Sequence, residues 1–344
     1  EAQTITRGPY LNIGTPTSMI VRWRTDVPVT GKVLFGTDRN NINTPVIEAG
    51  STTEHIVSIT GLAAATKYYY TITDANDNVY QGADSLRYFQ TSPAPGTRQP
   101  ITIWALGDFG NGSAGQIGTR NGFEFHTNNQ HTDAWIWLGD NAYGDGTDQQ
   151  FQDYVFDVYP DQFKNTVVWP APGNHDYKSI NLLSHDGPYY QIFSLPENGE
   201  AGGRPSGEEG YYSFDYGNVH FIAFNSELGS VVSNSNDWIG VNPLGNFTTS
   251  PMLEWLRDDL EANTQPWVVA YFHQPPYSKG SHDSDDAIEI YMKAMRQNFI
   301  PVLEEYGVDL VLNGHSHVYE RSYLINGHYG NTSSWDPATN LVSP

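Results

Sequence analysis

Between Thr4 and Thr91 apolar and polar positions alternate in short runs. Ser18–Arg24, Lys32–Phe35, Glu54–Ile59 and Lys67–Thr73 are rich in β-branched and aromatic residues, and turn signals such as Asp26-Val27-Pro28 and Asn76-Asp77-Asn78 separate them. This spacing predicts a small all-β antiparallel sandwich over residues 1–92. Residues 93–100 hold three prolines and a glycine without periodicity and read as a linker. From Ile101 the pattern changes to near-continuous apolar runs: Ile101–Leu106, Ala134–Leu138, Thr166–Trp169, Val219–Phe224, Trp267–Phe272 and Asp309–Leu312. Such runs suit central strands covered on both faces. Met252, Leu253, Leu256 and Leu260 share one helical face; Met292, Met295, Phe299, Val302 and Leu303 share another, in which Pro301 must kink or restart the helix. Residues 101–344 therefore read as an α/β domain, two packed sheets flanked by helices (α/β/β/α). Residues 228–250 read as a long loop. The 27 residues after His317 show no strand pattern, so the second sheet is expected to lack a closing segment.

Composition narrows the chemistry. The chain has no cysteine, which excludes thiol catalysis, disulfide scaffolds and iron–sulfur clusters. That absence suits export to an oxidising space, and the chain is expected to be secreted or periplasmic. No apolar stretch is long enough to span a bilayer. The net charge of −22 argues against nucleic-acid or anionic-membrane partners, both of which are bound through Lys and Arg. It repels phosphate esters too, so any site for them needs local positive charge, which bound cations would supply. Asn-x-Ser/Thr sequons occur at Asn111, Asn246 and Asn331, and chance accounts for them as well as glycosylation does.

Five short motifs follow the apolar runs in order: Gly107-Asp108-Phe109-Gly110, Gly139-Asp140-Asn141-Ala142-Tyr143, Gly173-Asn174-His175-Asp176, His273, and Gly314-His315-Ser316-His317. Alone, the first four have ordinary readings: an Asp turn, a packed loop tyrosine, an Asx turn, a buried histidine. Together Asp108, Asp140, Tyr143, Asn174, His273, His315 and His317 offer too many oxygen and nitrogen ligands for one ion, and suit two sharing a carboxylate bridge. Ligands gather at the carboxyl ends of strands in α/β folds. The i, i+2 spacing of His315 and His317 would bring both to one centre if the segment is extended. His175 and Asp176 read as an acid pair in which the carboxylate orients the imidazole. His282, in a polar loop nine residues after His273, would rim the site as a proton donor, although a solvated loop histidine fits it equally. Glu320 and Arg321 read as a supporting ion pair.

These motifs, in this order, resemble the metallophosphoesterase superfamily, and Tyr143 narrows the resemblance to the purple acid phosphatases. The stretch Gly61–Tyr70 resembles the turn before the sixth strand of a fibronectin type III module, matching that family's two-domain plant-type layout. The resemblance implies a first metal held by Asp108, Tyr143 and His317, a second held by Asn174, His273 and His315, and Asp140 bridging them. It further implies Fe(III) at the tyrosine site, coloured by tyrosinate-to-iron charge transfer, with Fe, Zn or Mn at the second. The cysteine that pairs plant-type subunits is absent, so that dimer is not expected, and oligomeric state is not readable. His273-Gln274-Pro275-Pro276-Tyr277 departs from the plant pattern around this histidine.

The function these readings predict is hydrolysis of small phosphomonoesters, as by an acid phosphatase, with metal-bound hydroxide attacking phosphorus in line. Asn174 and His175 would steady the equatorial oxygens, and His175 or His282 would protonate the leaving oxygen. The alternatives are a phosphodiesterase or nucleotidase on the same fold, or a secreted binding or adhesion protein whose main module is the sandwich.

Overall fold

The computed structural model describes residues 3–80, 84–128, 130–181, 186–227 and 250–343. The predicted loop at 228–250, apart from Ser250, lies outside them, as do Asn246 and His185.

The N-terminal strands are β1 Ile5–Asn12, β2 Ser18–Val29, β3 Gly31–Gly36, β4 Thr44–Ile47, β5 Thr52–Thr60, β6 Lys67–Asp74 and β7 Tyr88–Gln90. They form two antiparallel sheets, β1-β2-β5 and β4-β3-β6-β7. Alternation drives this: in β5, His55, Val57 and Ile59 are buried while Ile56, Ser58 and Thr60 face out.

The second unit has a parallel sheet of β8 Ile103–Leu106, β9 Ala134–Leu138 and β10 Val168–Ala171, in the order β10-β9-β8. A mixed sheet follows, of β11 Tyr212–Tyr216, β12 Val219–Ala223, β13 Trp267–Phe272 and β14 Leu310–Asn313, in chain order. All five residues of β9 are buried, as its unbroken apolar run requires. The helix Pro251–Ala262 buries Met252, Leu253, Trp255, Leu256 and Leu260. Before Pro301 the helix from Ile290 passes through a π turn, Met295–Phe299, and resumes at Ile300. The proline has no N–H for the i−4 carbonyl, and the wide turn absorbs the lost bond.

Two expectations are corrected. The apolar run Thr166–Trp169 forms a strand displaced toward its C-terminus, Val168–Ala171. The stretch after His317 is not all loop: β15 Leu324–Ile325 pairs with β16 Leu341–Ser343. The two units touch well beyond residues 93–100. One continuous core runs through both. Buried Arg7 donates to Asp148 Oδ1 (2.9 Å) and Gln152 Oε1 (2.9 Å), and Tyr10 Oη donates to the Ile192 carbonyl (2.7 Å). The linker itself is pinned where Gly96 N donates to the Gly217 carbonyl (2.7 Å).

Candidate metal centre

The loops that leave β8, β9, β10, β13 and β14 converge where the two sheets meet. They are braided by main-chain bonds: Asp108 N donates to the Gly139 carbonyl (3.1 Å) and Gly314 N to the His273 carbonyl (3.0 Å). Gly139, at φ +86°, lies so near His273 that a Cβ there would come within 2.6 Å of the imidazole. Four non-glycine residues in these loops take left-handed φ: Asp108 (56°), Asp140 (51°), His315 (67°) and His317 (49°). Each such residue costs on the order of 1 kcal/mol or more, and this kind of strain collects at functional sites.

The structure brings all seven predicted ligands into one cluster. Tyr143 Oη lies 3.0 Å from Asp108 Oδ1, 3.2 Å from Asp140 Oδ2 and 3.0 Å from His317 Nε2. On the other side, His273 Nε2 lies 3.1 Å from Asn174 Oδ1, 3.2 Å from His315 Nδ1 and 3.4 Å from Asp140 Oδ2. Ligand atoms at about 2.0–2.2 Å from one cation stand about 3.0–3.5 Å apart, so each group has the spacing of a coordination shell. Asp140 Oδ2 belongs to both. The other carboxylate oxygens are already engaged: Asp140 Oδ1 accepts from His175 N (2.7 Å) and Asp108 Oδ2 from His315 N (2.8 Å).

The charges of the site suit cations. Burial alone would raise the Asp140 carboxyl, but protonated His273 and the His175 N–H hold it at about 2. Burial, with Asp140 beside it, raises Asp108. Burial opposes charge on His273, yet Asp140 and Asp108 outweigh it and push that imidazole to about 10. Burial and the two carboxylates also push the Tyr143 phenol far up. His315 is held down at about 3 by burial and by His273, which keeps a lone pair available. Two carboxylates and one proton-holding imidazole thus face one another around Asp140, and a cation could take the place of that proton.

Two spacing arguments are corrected. His315 and His317 reach the cluster without lying on an extended segment, because both have positive φ, and they stand in its two opposite groups. Asp176 is not the partner of His175. It is fully buried and accepts from Asn141 N, Asn141 Nδ2 and Gly173 N, which clamps two ligand loops together. Burial and the nearby Asp140 charge push Asp176 up to about 8. His175 instead sets Nδ1 2.6 Å from the Gly144 carbonyl and 2.9 Å from Lys178 Nζ, with Nε2 3.9 Å from Asp140 Oδ2. Glu320 accepts from Ser278 Oγ (2.7 Å) and Lys279 N (3.0 Å), tying the His282 loop to the His317 loop rather than pairing with Arg321.

His282 lies beside this cluster, its ring centroid 4.0 Å from that of His315 and its plane tilted by 33°. Sequence reasoning missed Glu289, whose Oε1 accepts from His282 Nδ1 (2.7 Å). No spacing rule singles it out. It also missed Lys178, which the i, i+3 offset from His175 on a helical turn could have found.

Residues 101–319 match the family profile of the calcineurin-like phosphoesterases, and residues 7–91 that of the purple acid phosphatase N-terminal domain. Purple acid phosphatase 15 of Arabidopsis thaliana is 26% identical over 294 residues, covering 78% of this chain and 49% of that protein. Purple acid phosphatase 1 of Ipomoea batatas is 25% identical over 342 residues, covering 94% and 64%. A purple acid phosphatase structure from yellow lupin (Lupinus luteus) seeds superposes with TM-score 0.64 at 18% identity, covering 89% of this chain and 57% of that one. The chain thus spans about half to two-thirds of the length of these relatives. With both profiles in sequence order and the ligand loops in place, the chain belongs to the calcineurin-like phosphoesterases, with the two-domain organisation of the purple acid phosphatases.

Proposed function

We propose that this chain is an acid phosphatase that hydrolyses small phosphomonoesters with two metal ions. Asp108, Tyr143 and His317 would hold the first ion, Asn174, His273 and His315 the second, and Asp140 both. The observation that carries the reading is the place of Asp140 Oδ2, 3.2 Å from Tyr143 Oη and 3.4 Å from His273 Nε2. We assign Fe(III) to the tyrosine site, where a phenolate suits a trivalent ion, and Fe, Zn or Mn to the other. Two such ions supply Lewis-acid charge to a phosphoryl oxygen and acidify water.

The chain's own residues do the rest. Asn174 turns its Oδ1 to the second group, so its NH₂ is left to donate to a substrate oxygen. His175, with Nδ1 on the Gly144 carbonyl, presents Nε2 to the site and can pass a proton to the leaving oxygen. His282 is the other candidate for that proton. Lys178, beside His175, adds local positive charge at the site of an acidic chain. The division at residues 93–100 and a secreted or periplasmic setting belong to the same reading. Among the described residues no helix is long and apolar enough to cross a membrane.

Steady-state turnover of an aryl phosphate monoester and its matching diester tests the proposal. The wild-type chain should favour the monoester, and Asp140→Ala should lose both metal and turnover. Full turnover in Asp140→Ala would refute the site, and preference for the diester would refute the substrate class.

A further inference from the structure

His315 offers Nδ1 to the second ligand group, so its remaining proton must sit on Nε2. That Nε2 is buried and, among the described residues, has no hydrogen-bond partner. Glu289 Oε2 stands 3.6 Å from it, outside hydrogen-bond range but within reach of a small adjustment. The other oxygen of the same carboxylate, Oε1, accepts from His282 Nδ1 at 2.7 Å. The two imidazoles lie between these contacts with centroids 4.0 Å apart and planes tilted by 33°. Glu289 is itself buried, and its main chain is fixed at the start of the helix from Ile290: its N–H donates to the Asp286 carbonyl (3.1 Å) and its carbonyl accepts from Lys293 N (3.2 Å).

The tautomers follow from this geometry. His273 donates Nδ1–H to the Leu138 carbonyl (2.9 Å), so Nε2, the nitrogen it turns toward the His315 ring, is the one that would give up its proton to an ion. For His315 also to present a lone pair at Nδ1, its Nε2–H needs a buried acceptor, and Glu289 is the carboxylate in place. The same carboxylate keeps the His282 proton on Nδ1 and turns Nε2 away from it.

We propose that Glu289 is a positioning residue that sets the tautomers of both His315 and His282, so that one carboxylate couples the hold on the second metal ion to the orientation of the rim histidine. This rests on the two-ion reading above.

The test uses the full chain as wild type, Glu289→Gln and His282→Ala. Metal content is measured by mass spectrometry after dialysis against graded chelator, and thermal melting is measured on the chelated proteins. Glu289→Gln should melt with the wild type when chelated, keep the first ion, and bind the second roughly 10–100-fold more weakly. His282→Ala should keep both ions at wild-type affinity while turnover falls. The inference is overturned if Glu289→Gln holds both ions as the wild type does. It is equally overturned if that variant loses both together with a lowered chelated melting point, which would mark a merely structural role. Three ions on the wild type, falling to two in Glu289→Gln, would overturn it by making His282, Glu289 and His315 a site of their own. A wild-type chain that never takes up two ions would instead refute the two-ion reading.

Discussion

Gly173→Ala is the smallest change that should disable the site. A Cβ at Gly173 would lie 2.2 Å from Asp140 N and 2.4 Å from Asp140 Oδ1. Non-bonded carbon contacts settle at about 3.5 Å or more, so the Asp140 backbone and carboxylate must retreat by about 1 Å. The retreat has nowhere easy to go. Asp140 Oδ1 is held by His175 N at 2.7 Å, and Gly173 N is tied to Asp176 Oδ2 at 2.9 Å. Asp140 Oδ2 would leave the position it shares between Tyr143 and His273. Overpacking of this kind costs about 1–3 kcal/mol of stability, and a 1 Å displacement in a catalytic array costs turnover on the order of 100-fold. The assay is metal content, melting point and kcat measured on one preparation. Gly118→Ala is the control: nothing lies within 4 Å of a Cβ there, and the residue sits on the exposed helix Ala114–Thr127. That change should keep both ions and gain up to about 1 kcal/mol from helix propensity. Wild-type metal content and turnover in Gly173→Ala would refute the claim that Asp140 must stand where it does.

Two further outcomes are expected. Tyr143→Phe should abolish any long-wavelength absorption of the iron-loaded protein and weaken the first ion more than the second; an unchanged visible spectrum would contradict the assignment. Buried His220 bridges Asp215 Oδ1 and Asp259 Oδ2 at 2.8 Å each, and although burial opposes its charge, the two carboxylates push it up to about 9. Its stabilisation should therefore be complete below its unfolded value near 6.5 and fade as pH rises through about 9, a difference worth roughly 3 kcal/mol. Urea midpoints of the wild type should fall over that window by more than those of His220→Asn, and parallel curves would contradict the bridge.

The ligand loops were legible because each follows an apolar run that has little choice but to be a buried strand, and strands in such a fold deliver their ends to one place. The five buried residues of β9 show this directly. What the sequence hid is the way the loops turn. Left-handed φ at His315 and His317 brings both to the cluster by a turn, where alternation along an extended segment was the expected route. Asp176 looks like an orienting acid beside His175, but Asn141 and Gly173 are the donors it meets. The helix Ala114–Thr127 escaped notice because it buries so little: Gln116 is its one buried residue, and Phe125 faces solvent. Glu289 and His282 meet only because the intervening loop folds back, a long-range fact that no local spacing encodes.

Metal stoichiometry tests the central claim most directly. Purified chain loaded with iron and zinc, desalted and analysed by elemental mass spectrometry beside its visible spectrum, should carry two ions, with Asp140→Ala carrying none. One ion per chain, or two that persist in Asp140→Ala, would contradict a centre built around a shared Asp140.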